Sequence, residues 1–251
     1  MIRNKLDLEL ANKIIKYVPL FDCLNDQQLS SLLERTNINN YCKDEIIMMA
    51  GEESNQMYVV LKGQIRVVDI TEGGQERVMA FRHRGDCFGD MGLLDNRTDS
   101  ATIIANEPSK VLFISKDVFD DIFLVDKLTL LRVIEMLCGR LRECWQFHNI
   151  IGINNAESKI RATLSHYSKT LGIEDSSGVI INTTISHQSI ADRIHITRET
   201  VSRVLHKLRN QHEIEMIGRR FKLLPSFFQT YESSELFRSL KVDLTRQKEL
   251  K

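Results

Sequence analysis

Seven positions between Leu130 and Ile151 (Leu130, Ile134, Leu137, Leu141, Cys144, His148 and Ile151) follow one another at intervals of 4, 3, 4, 3, 4 and 3. An a/d stripe kept over three heptads fits the seam of a two-stranded coiled coil better than a helix lying on its own core. A second copy of the chain is the expected partner. Each large apolar side chain covered there contributes roughly 1.5–3 kcal/mol, with Cys144 and His148 giving less, so the seam weakens toward its C-terminal end.

This helix separates two stretches of different texture. On its N-terminal side Leu10, Ile14, Ile15 and Val18, then Leu29, Leu32 and Leu33, fall at helical spacing with Pro19 between the sets, which reads as two short helices. From Ile46 to Ile114 short apolar runs are broken by Gly51, Gly63, Gly73, Gly74, Gly85, Gly89 and Gly92. Tyr58–Leu61 and Ile65–Val68 flank Lys62-Gly63-Gln64, and Gly73-Gly74 closes the next turn, a spacing typical of a β-sandwich or barrel. On the C-terminal side Ile153-Asn154-Asn155 reads as a cap or hinge before a further domain. A length of 251 residues has room for two such domains.

Composition narrows the function classes. The chain is 42% apolar and 27% charged, the range of ordinary soluble proteins. Its longest apolar runs, such as Ile46–Ala50, are far shorter than the roughly 18 residues of a membrane helix. Met1–Asp7 includes an acid and has no continuous apolar core of the signal-peptide kind, so a cytoplasmic location is expected. The five cysteines, at 23, 42, 87, 138 and 144, form neither a CxxC pair nor a disulfide framework and read as reduced thiols. Lys+Arg and Asp+Glu are equal at 34 each, but not along the chain. Residues 1–155 hold 18 basic and 23 acidic groups (net −5), residues 156–224 hold 11 and 7 (net +4), and residues 225–251 hold 5 and 4 (net +1). A basic module beside an acidic one can meet a polyanion with one end only.

The basic module contains ISHQSIADRIHITRETVSRVLHKL, Ile185–Leu208, which reads as two helices joined near His195-Ile196. Ile190, Ala191 and Ile194 line one side of the first helix; Val201, Val204, Leu205 and Leu208 line one side of the second. Thr197 can cap the second helix, and Glu199 suits its positive end. The opposite face carries Arg198, Glu199, Ser202 and Arg203. Arg can donate two hydrogen bonds to guanine O6 and N7, and Glu can accept from cytosine N4, in the major groove. Glu215–Leu223 reads as a β-hairpin wing. Thr197, Lys207, Arg219, Arg220 and Lys222 are the expected phosphate contacts.

These features together resemble the CRP/FNR superfamily of bacterial transcription regulators over roughly residues 18–225. The resemblance is carried by Gly51 with Tyr58-Val59-Val60-Leu61-Lys62-Gly63, by Gly85-Asp86-Cys87-Phe88-Gly89-Asp90-Met91-Gly92-Leu93-Leu94, by Ser100-Ala101-Thr102 and by Arg198-Glu199-Thr200-Val201-Ser202-Arg203. It implies an α+β chain: an N-terminal jelly-roll effector domain of the cyclic-nucleotide-binding type with N-terminal helices (1–125), a dimerisation helix (126–153) and a winged helix-turn-helix domain (154–227). A tail (228–251) follows, with Leu236, Leu240 and Leu244 spaced as in a short helix. The resemblance further implies a homodimer on double-stranded DNA with a two-fold symmetric operator, half-sites resembling TGTGA or TTGAT, no enzymatic activity, and RNA polymerase as a further partner if the protein activates transcription. His195 stands where the family often has Gly; His tolerates a left-handed conformation better than most residues.

The effector pocket that the resemblance implies comprises Gly89, Asp90, Met91, Asp99, Ser100, Ala101, Cys144 and Trp145. Relatives that bind cyclic nucleotides carry a Glu at the position of Asp90 and an Arg at that of Asp99. Two unit charges about 4 Å apart interact by roughly 4 kcal/mol at an effective dielectric of about 20, so exchanging attraction for repulsion approaches about 8 kcal/mol. That equals the free energy of micromolar binding, about 8 kcal/mol. cAMP in the usual pose is therefore not expected unless Arg97 turns inward. Cys144 and Trp145 replace small hydroxyl residues, which suits an apolar or aromatic effector, a haem, or no ligand, with Trp145 as core filler the alternative. Haem would take His83 or His148 as its axial ligand. An iron–sulfur cluster is not expected, because Cys23 and Cys42 lie 19 residues apart. A redox switch would use Cys87 or Cys144 and needs an accessible thiolate. A cupin-like metal enzyme would need clustered His and Glu ligands, and His83 stands alone. A sensor module acting on a protein partner and a constitutive DNA binder remain as alternatives.

Overall fold

The computed structural model of the chain describes residues 5–53, 55–70, 74, 76–125 and 127–232. They form two compact units that meet inside one long helix, the first ending at Arg140 and the second beginning at Leu141.

In the first unit α1 (Lys5–Ile15) and α2 (Asp26–Arg35) are separated by a single 3₁₀ turn at Pro19–Phe21. A reciprocal cap fixes the start of α2: the Asn25 side chain accepts from the Gln28 N–H at 2.9 Å, and the Gln28 side chain accepts from the Asn25 N–H at 3.0 Å. Then come β1 (Asn37–Tyr41), β2 (Ile46–Met48), β3 (Gln56–Lys62), β4 (Gln64–Ile70), β5 (Glu76–His83), β6 (Cys87–Phe88), α3 (Asp90–Asp95), β7 (Thr102–Ala105), β8 (Ser109–Ser115) and α4 (Lys116–Phe123). The strands make two antiparallel sheets, ordered β1-β8-β3-β6 and β2-β7-β4-β5.

Strand β3 shows why this region reads as continuous apolar runs. Met57, Val59 and Leu61 face one core, shared with α1, α2 and α4, while Tyr58 and Val60 face another, shared with Ile65, Phe88, Ile103 and Val111. A strand covered on both faces has no polar alternation. The turn at Gly63 passes the chain from one sheet to the other instead of pairing β3 with β4. Gly63 has φ +87°, and a Cβ there would lie 2.3 Å from Ser109 Oγ, so only glycine fits. Of the Gly73-Gly74 turn, Gly73 lies outside the described residues.

The long helix α5 (Lys127–Ile151) carries two adjacent heptad stripes. Leu130, Ile134, Leu137 and Leu141 of the expected seam are 43%, 46%, 38% and 49% exposed, and Cys144 and His148 are exposed beside them. About 100° round the helix runs a second stripe, Val133, Met136, Arg140, Glu143, Phe147 and Ile150. Val133, Phe147 and Ile150 are only 3%, 6% and 3% exposed. The chain thus packs α5 through the second stripe and leaves the seam uncovered.

The second unit continues with α6 (Ala156–Leu171), β9 (Gly172–Asp175), β10 (Gly178–Ile181), α7 (His187–Ile194), α8 (Arg198–Asn210), β11 (Ile214–Ile217), β12 (Arg220–Leu223) and α9 (Pro225–Glu232). Asn155 caps α6, accepting from the Ser158 N–H at 3.1 Å. The wing is one half of a four-stranded sheet ordered β11-β12-β10-β9. Ile160, Leu164, Ile190, Ile194, Val201, Leu208 and Phe221 make its core together with Phe147 and Ile150 of α5. The helix read at Leu236–Leu244 lies outside the described residues. No helix among the described residues is long and apolar enough to cross a membrane.

Candidate nucleic-acid interface and effector region

Three local devices shape the helix pair α7–α8. Ser186 caps α7 by accepting from the Ser189 N–H at 2.9 Å. At the other end His195 adopts the left-handed conformation, φ 55° and ψ 54°, and its N–H bonds to the Ala191 carbonyl, a helix stop usually made by Gly. Thr197 caps α8 by accepting from the Thr200 N–H at 3.2 Å. With Ile190, Ala191, Ile194, Val201, Val204, Leu205 and Leu208 all buried, the helical period turns Arg198, Glu199, Ser202 and Arg203 to solvent on one face. None of these four side chains is held in an ion pair or side-chain hydrogen bond among the described residues. His187 at the start of α7 stacks on Phe221 of the wing at 6.5 Å. Burial first, and the Arg198 charge second, push its pKa below the ordinary imidazole value.

The five phosphate candidates differ in availability. Arg219 and Arg220 are exposed beside Gly218, which turns the wing at φ +61°, and Arg220 donates to Asn182 Oδ1 at 2.9 Å. The Thr197 hydroxyl sits at the exposed N-terminus of α8. Lys207 is paired with Glu157 at 2.6 Å, and Glu157 also binds Arg161, whose guanidinium reaches Glu213. Burial raises the Glu157 pKa, but hydrogen bonds from Lys207 and Arg161 outweigh it and hold the carboxyl below its ordinary value. Lys222 does not present itself to a ligand. It is buried, and its ammonium is bound to Asp175. The reason is that β12 is an inner strand: β10 lies against its other edge, and the β9–β10 turn brings an acid to it.

In the first unit, the β6–α3 junction turns on Gly89, whose φ is +73° and whose missing Cβ would lie 2.6 Å from the Tyr58 ring. Asp90 follows and is completely buried. One of its oxygens accepts from Arg140 of α5, whose other terminal nitrogen donates to the Cys87 carbonyl at 2.6 Å. The second Asp90 oxygen has no partner among the described residues. Asp99 is buried on the loop that meets Gly51 and Glu52, with Gly51 N–H to Asp99 O at 2.8 Å and Asp99 N–H to Glu52 O at 3.2 Å. The neighbouring phenol, Tyr58, is pushed up to about 12, by burial first and then by Tyr41, Asp99 and Glu52. Met91 and Ser100 are exposed and Ala101 is half-buried. Arg97 points outward, 84% exposed and 3.9 Å from Asp95, so it does not replace the cation missing at Asp99.

The remaining candidates fare unequally. Cys87 is buried, and burial, only partly opposed by Arg140, drives its thiol pKa far up. That is the reverse of what a thiolate switch needs. Cys144 and Trp145 lie exposed on α5 in the second unit. His83 has Nε2 2.9 Å from Gln64 Nε2 and Nδ1 3.7 Å from Asp86, so both ring nitrogens already have neighbours; His148 is exposed on the seam. Among the described residues no group of three or more His, Cys, Asp or Glu side chains is placed to hold a metal ion. Arg140 is the site residue that sequence reading passed over. Its signal was a single cation on the inward stripe of α5.

Residues 38–126 match the model of the cyclic nucleotide-binding domain, and residues 159–225 match that of the Crp-like helix-turn-helix domain. The chain belongs to the CRP/FNR superfamily of transcription regulators. Similar superfamily members include the cAMP-activated global transcriptional regulator CRP of Pasteurella multocida, 28% identical over 196 residues, which are 77% of this chain and 93% of that protein. The cyclic AMP receptor protein of Thermus thermophilus is 28% identical over 204 residues, 80% of this chain and 90% of that one. Among solved structures, a CRP-family transcriptional regulator, also from Thermus thermophilus, superposes with a TM-score of 0.62 at 25% identity, covering 78% of this chain and 97% of that one. A CooA mutant from Carboxydothermus hydrogenoformans shares the fold, with a TM-score of 0.70 at 21% identity over 88% of this chain and 95% of that one. A DNA-binding regulator of CRP/FNR type with an effector-binding domain is thus the common ground of domain content, relatives and fold.

Proposed function

We propose that the chain acts as a cytoplasmic homodimer that binds a two-fold symmetric operator and is controlled by a signal other than a cyclic nucleotide in the usual pose. The uncovered seam of α5 carries the reading. A helix that already packs its own chain with one stripe, and still exposes Leu130, Ile134, Leu137 and Leu141 on the next, has a face suited to a second copy of itself. His148 and Ile151 extend it. Two recognition helices related by that seam meet two half-sites, with Arg198, Glu199, Ser202 and Arg203 reading bases. Thr197, Arg219 and Arg220 contact phosphates. Lys207 joins them when it leaves Glu157, and Lys222 stays on Asp175.

The cAMP of the relatives' descriptions is not carried over to this chain. Asp99 puts a buried carboxylate where a phosphate partner is required, Asp90 is held by Arg140, and Arg97 stays outside. The signal is then a small molecule without that phosphate contact, a haem-bound gas or a redox change at a site other than Cys87. Arg203→Ala tests the DNA reading. Removing one bidentate base contact costs roughly 1–3 kcal/mol of discrimination, so binding to a duplex selected from random DNA by the wild-type protein falls about 5- to 150-fold while non-specific binding changes little. Equal affinity of the two proteins for that duplex overturns the assignment of α8.

A further inference from the structure

The buried positions of α8, Val201, Val204, Leu205 and Leu208, fix which way the helix faces. At about 100° per residue, Glu199, Arg203, His206 and Asn210 all fall within about 30° of the direction opposite that core, with Arg198 and Ser202 to one side. The outward line of the helix thus continues past the base-reading residues to His206 and Asn210, both exposed. Asn210 Nδ2 lies 3.3 Å from His206 Nδ1. With the amide donating, the neutral ring carries its proton on Nε2; turned over, the same amide accepts from Nδ1–H of the imidazolium. Asn210 therefore holds the ring in either charge state and leaves Nε2–H for an acceptor outside the chain. No other hydrogen bond and no ion pair reaches the ring among the described residues.

In a helix-turn-helix the N-terminal residues of the second helix touch base edges. His206 stands seven residues beyond Glu199, about 10.5 Å along the axis, and the major groove is about 12 Å wide. That distance carries His206 from the base edges to the phosphates at the rim of the groove. Charge points the same way. Arg203, Lys207 and Arg209 flank the ring on its own helix. Among the acids of the elements packed against α8, Glu157 of α6 is held by Lys207 and Arg161, Glu213 just before β11 by Arg161, and Asp192 of α7 by Gln188 at 2.7 Å. Glu215 of β11 is exposed and in no ion pair among the described residues. An imidazolium at His206 then has cations beside it and no acid of the chain bound to it, so an anion from outside is what favours the charged form. Imidazole is also the side chain whose ordinary pKa lies within the physiological range. We propose that His206 takes a DNA phosphate as an imidazolium, so that operator binding takes up a proton and tightens as the pH falls. Asn210 is its positioning residue. The proposal rests on the assignment of α8 to the major groove.

The test is a DNA titration at pH 6.0 and pH 8.0, with the full-length protein and a duplex selected from random DNA by the wild type. The reference is His206→Gln, which keeps a donor but takes no charge. On going from pH 8.0 to pH 6.0 the wild-type affinity is expected to rise about threefold or more beyond any rise in His206→Gln. Over the same change its slope of log affinity against log salt is expected to steepen by about 0.9 more, the signature of one further phosphate neutralised. Groups remote from His206 contribute alike to both proteins and cancel in the comparison. An equal pH dependence in the two proteins overturns the proposal. So does a loss of affinity in His206→Gln that is the same at both pH values, since His206 would then be a neutral contact. Asn210→Asp sets a permanent acceptor beside Nδ1 and is expected to move the midpoint of the pH profile upward by about one unit; an unmoved midpoint overturns the positioning role of Asn210. Arg203→Ala separates the two levels of failure. If it binds the duplex as tightly as the wild type, the assignment of α8 fails and this proposal with it. If it binds more weakly while His206→Gln keeps the wild-type pH dependence, only the role of His206 is overturned.

Discussion

His166 makes the second unit acid-sensitive. It is packed between Phe147 and Tyr167, and burial, with Arg193 and Lys169 adding and Glu143 opposing, lowers its pKa from 6.5 to about 4. As pH falls the unfolded chain is protonated first, so stability contributed by neutral His166 is complete above pH 6.5 and is withdrawn as pH falls toward 4. Between pH 7 and pH 5 the loss is about 2 kcal/mol, since each pH step below 6.5 removes about 1.36 kcal/mol, a large part of the roughly 5–15 kcal/mol that hold a domain folded. Urea titrations followed through Trp145, the chain's only tryptophan and part of the second unit, read it directly. With a urea slope of about 2 kcal/mol per molar, the wild-type midpoint falls by about 1 M more than that of His166→Phe over the same pH change. Carboxylates remote from His166 contribute equally in both proteins and cancel in the difference. Equal midpoint shifts would refute the packed neutral imidazole.

Three further outcomes are expected. Glu157→Gln frees Lys207 for a phosphate, so the slope of log affinity against log salt steepens by about 0.9 in a DNA titration; an unchanged slope places Lys207 off the DNA. His195→Gly relieves a non-glycine residue from φ 55° and raises thermal stability by about 1 kcal/mol, whereas a lower melting temperature denies that strain. Leu137→Asp sets two like charges against each other across the seam and gives monomers in sedimentation at micromolar concentration, while an intact dimer would locate the interface elsewhere.

How much was legible varies with physical cause. The helix-turn-helix was readable because its apolar positions, its Ser and Thr caps and its polar face all agree within one short stretch. The apolar stripe that α5 leaves exposed, Leu130, Ile134, Leu137 and Leu141, was equally plain in the spacing. The stripe beside it was hidden because Arg140 and Glu143 interrupt its apolar pattern, and these two charges prove to be the contacts that tie α5 to α3 and α7. Strands β9 and β10 escaped notice because each has four residues and the first ends in Glu174-Asp175. Missing them is what placed Lys222 on an open hairpin edge instead of against Asp175. Likewise Cys87 reads as a plausible thiol in sequence, and only the packing of β6 shows it inaccessible. Arg97 lay close enough in sequence to rescue the absent cation; its outward direction is a matter of the α3–β7 loop, which no periodicity reports.

A native mass spectrum of the wild-type protein on a two-fold symmetric duplex of its own selection tests the central claim most directly. The account predicts two chains per duplex and none when the two half-sites are scrambled. One chain per duplex, or equal complex formation with the scrambled DNA, would contradict it.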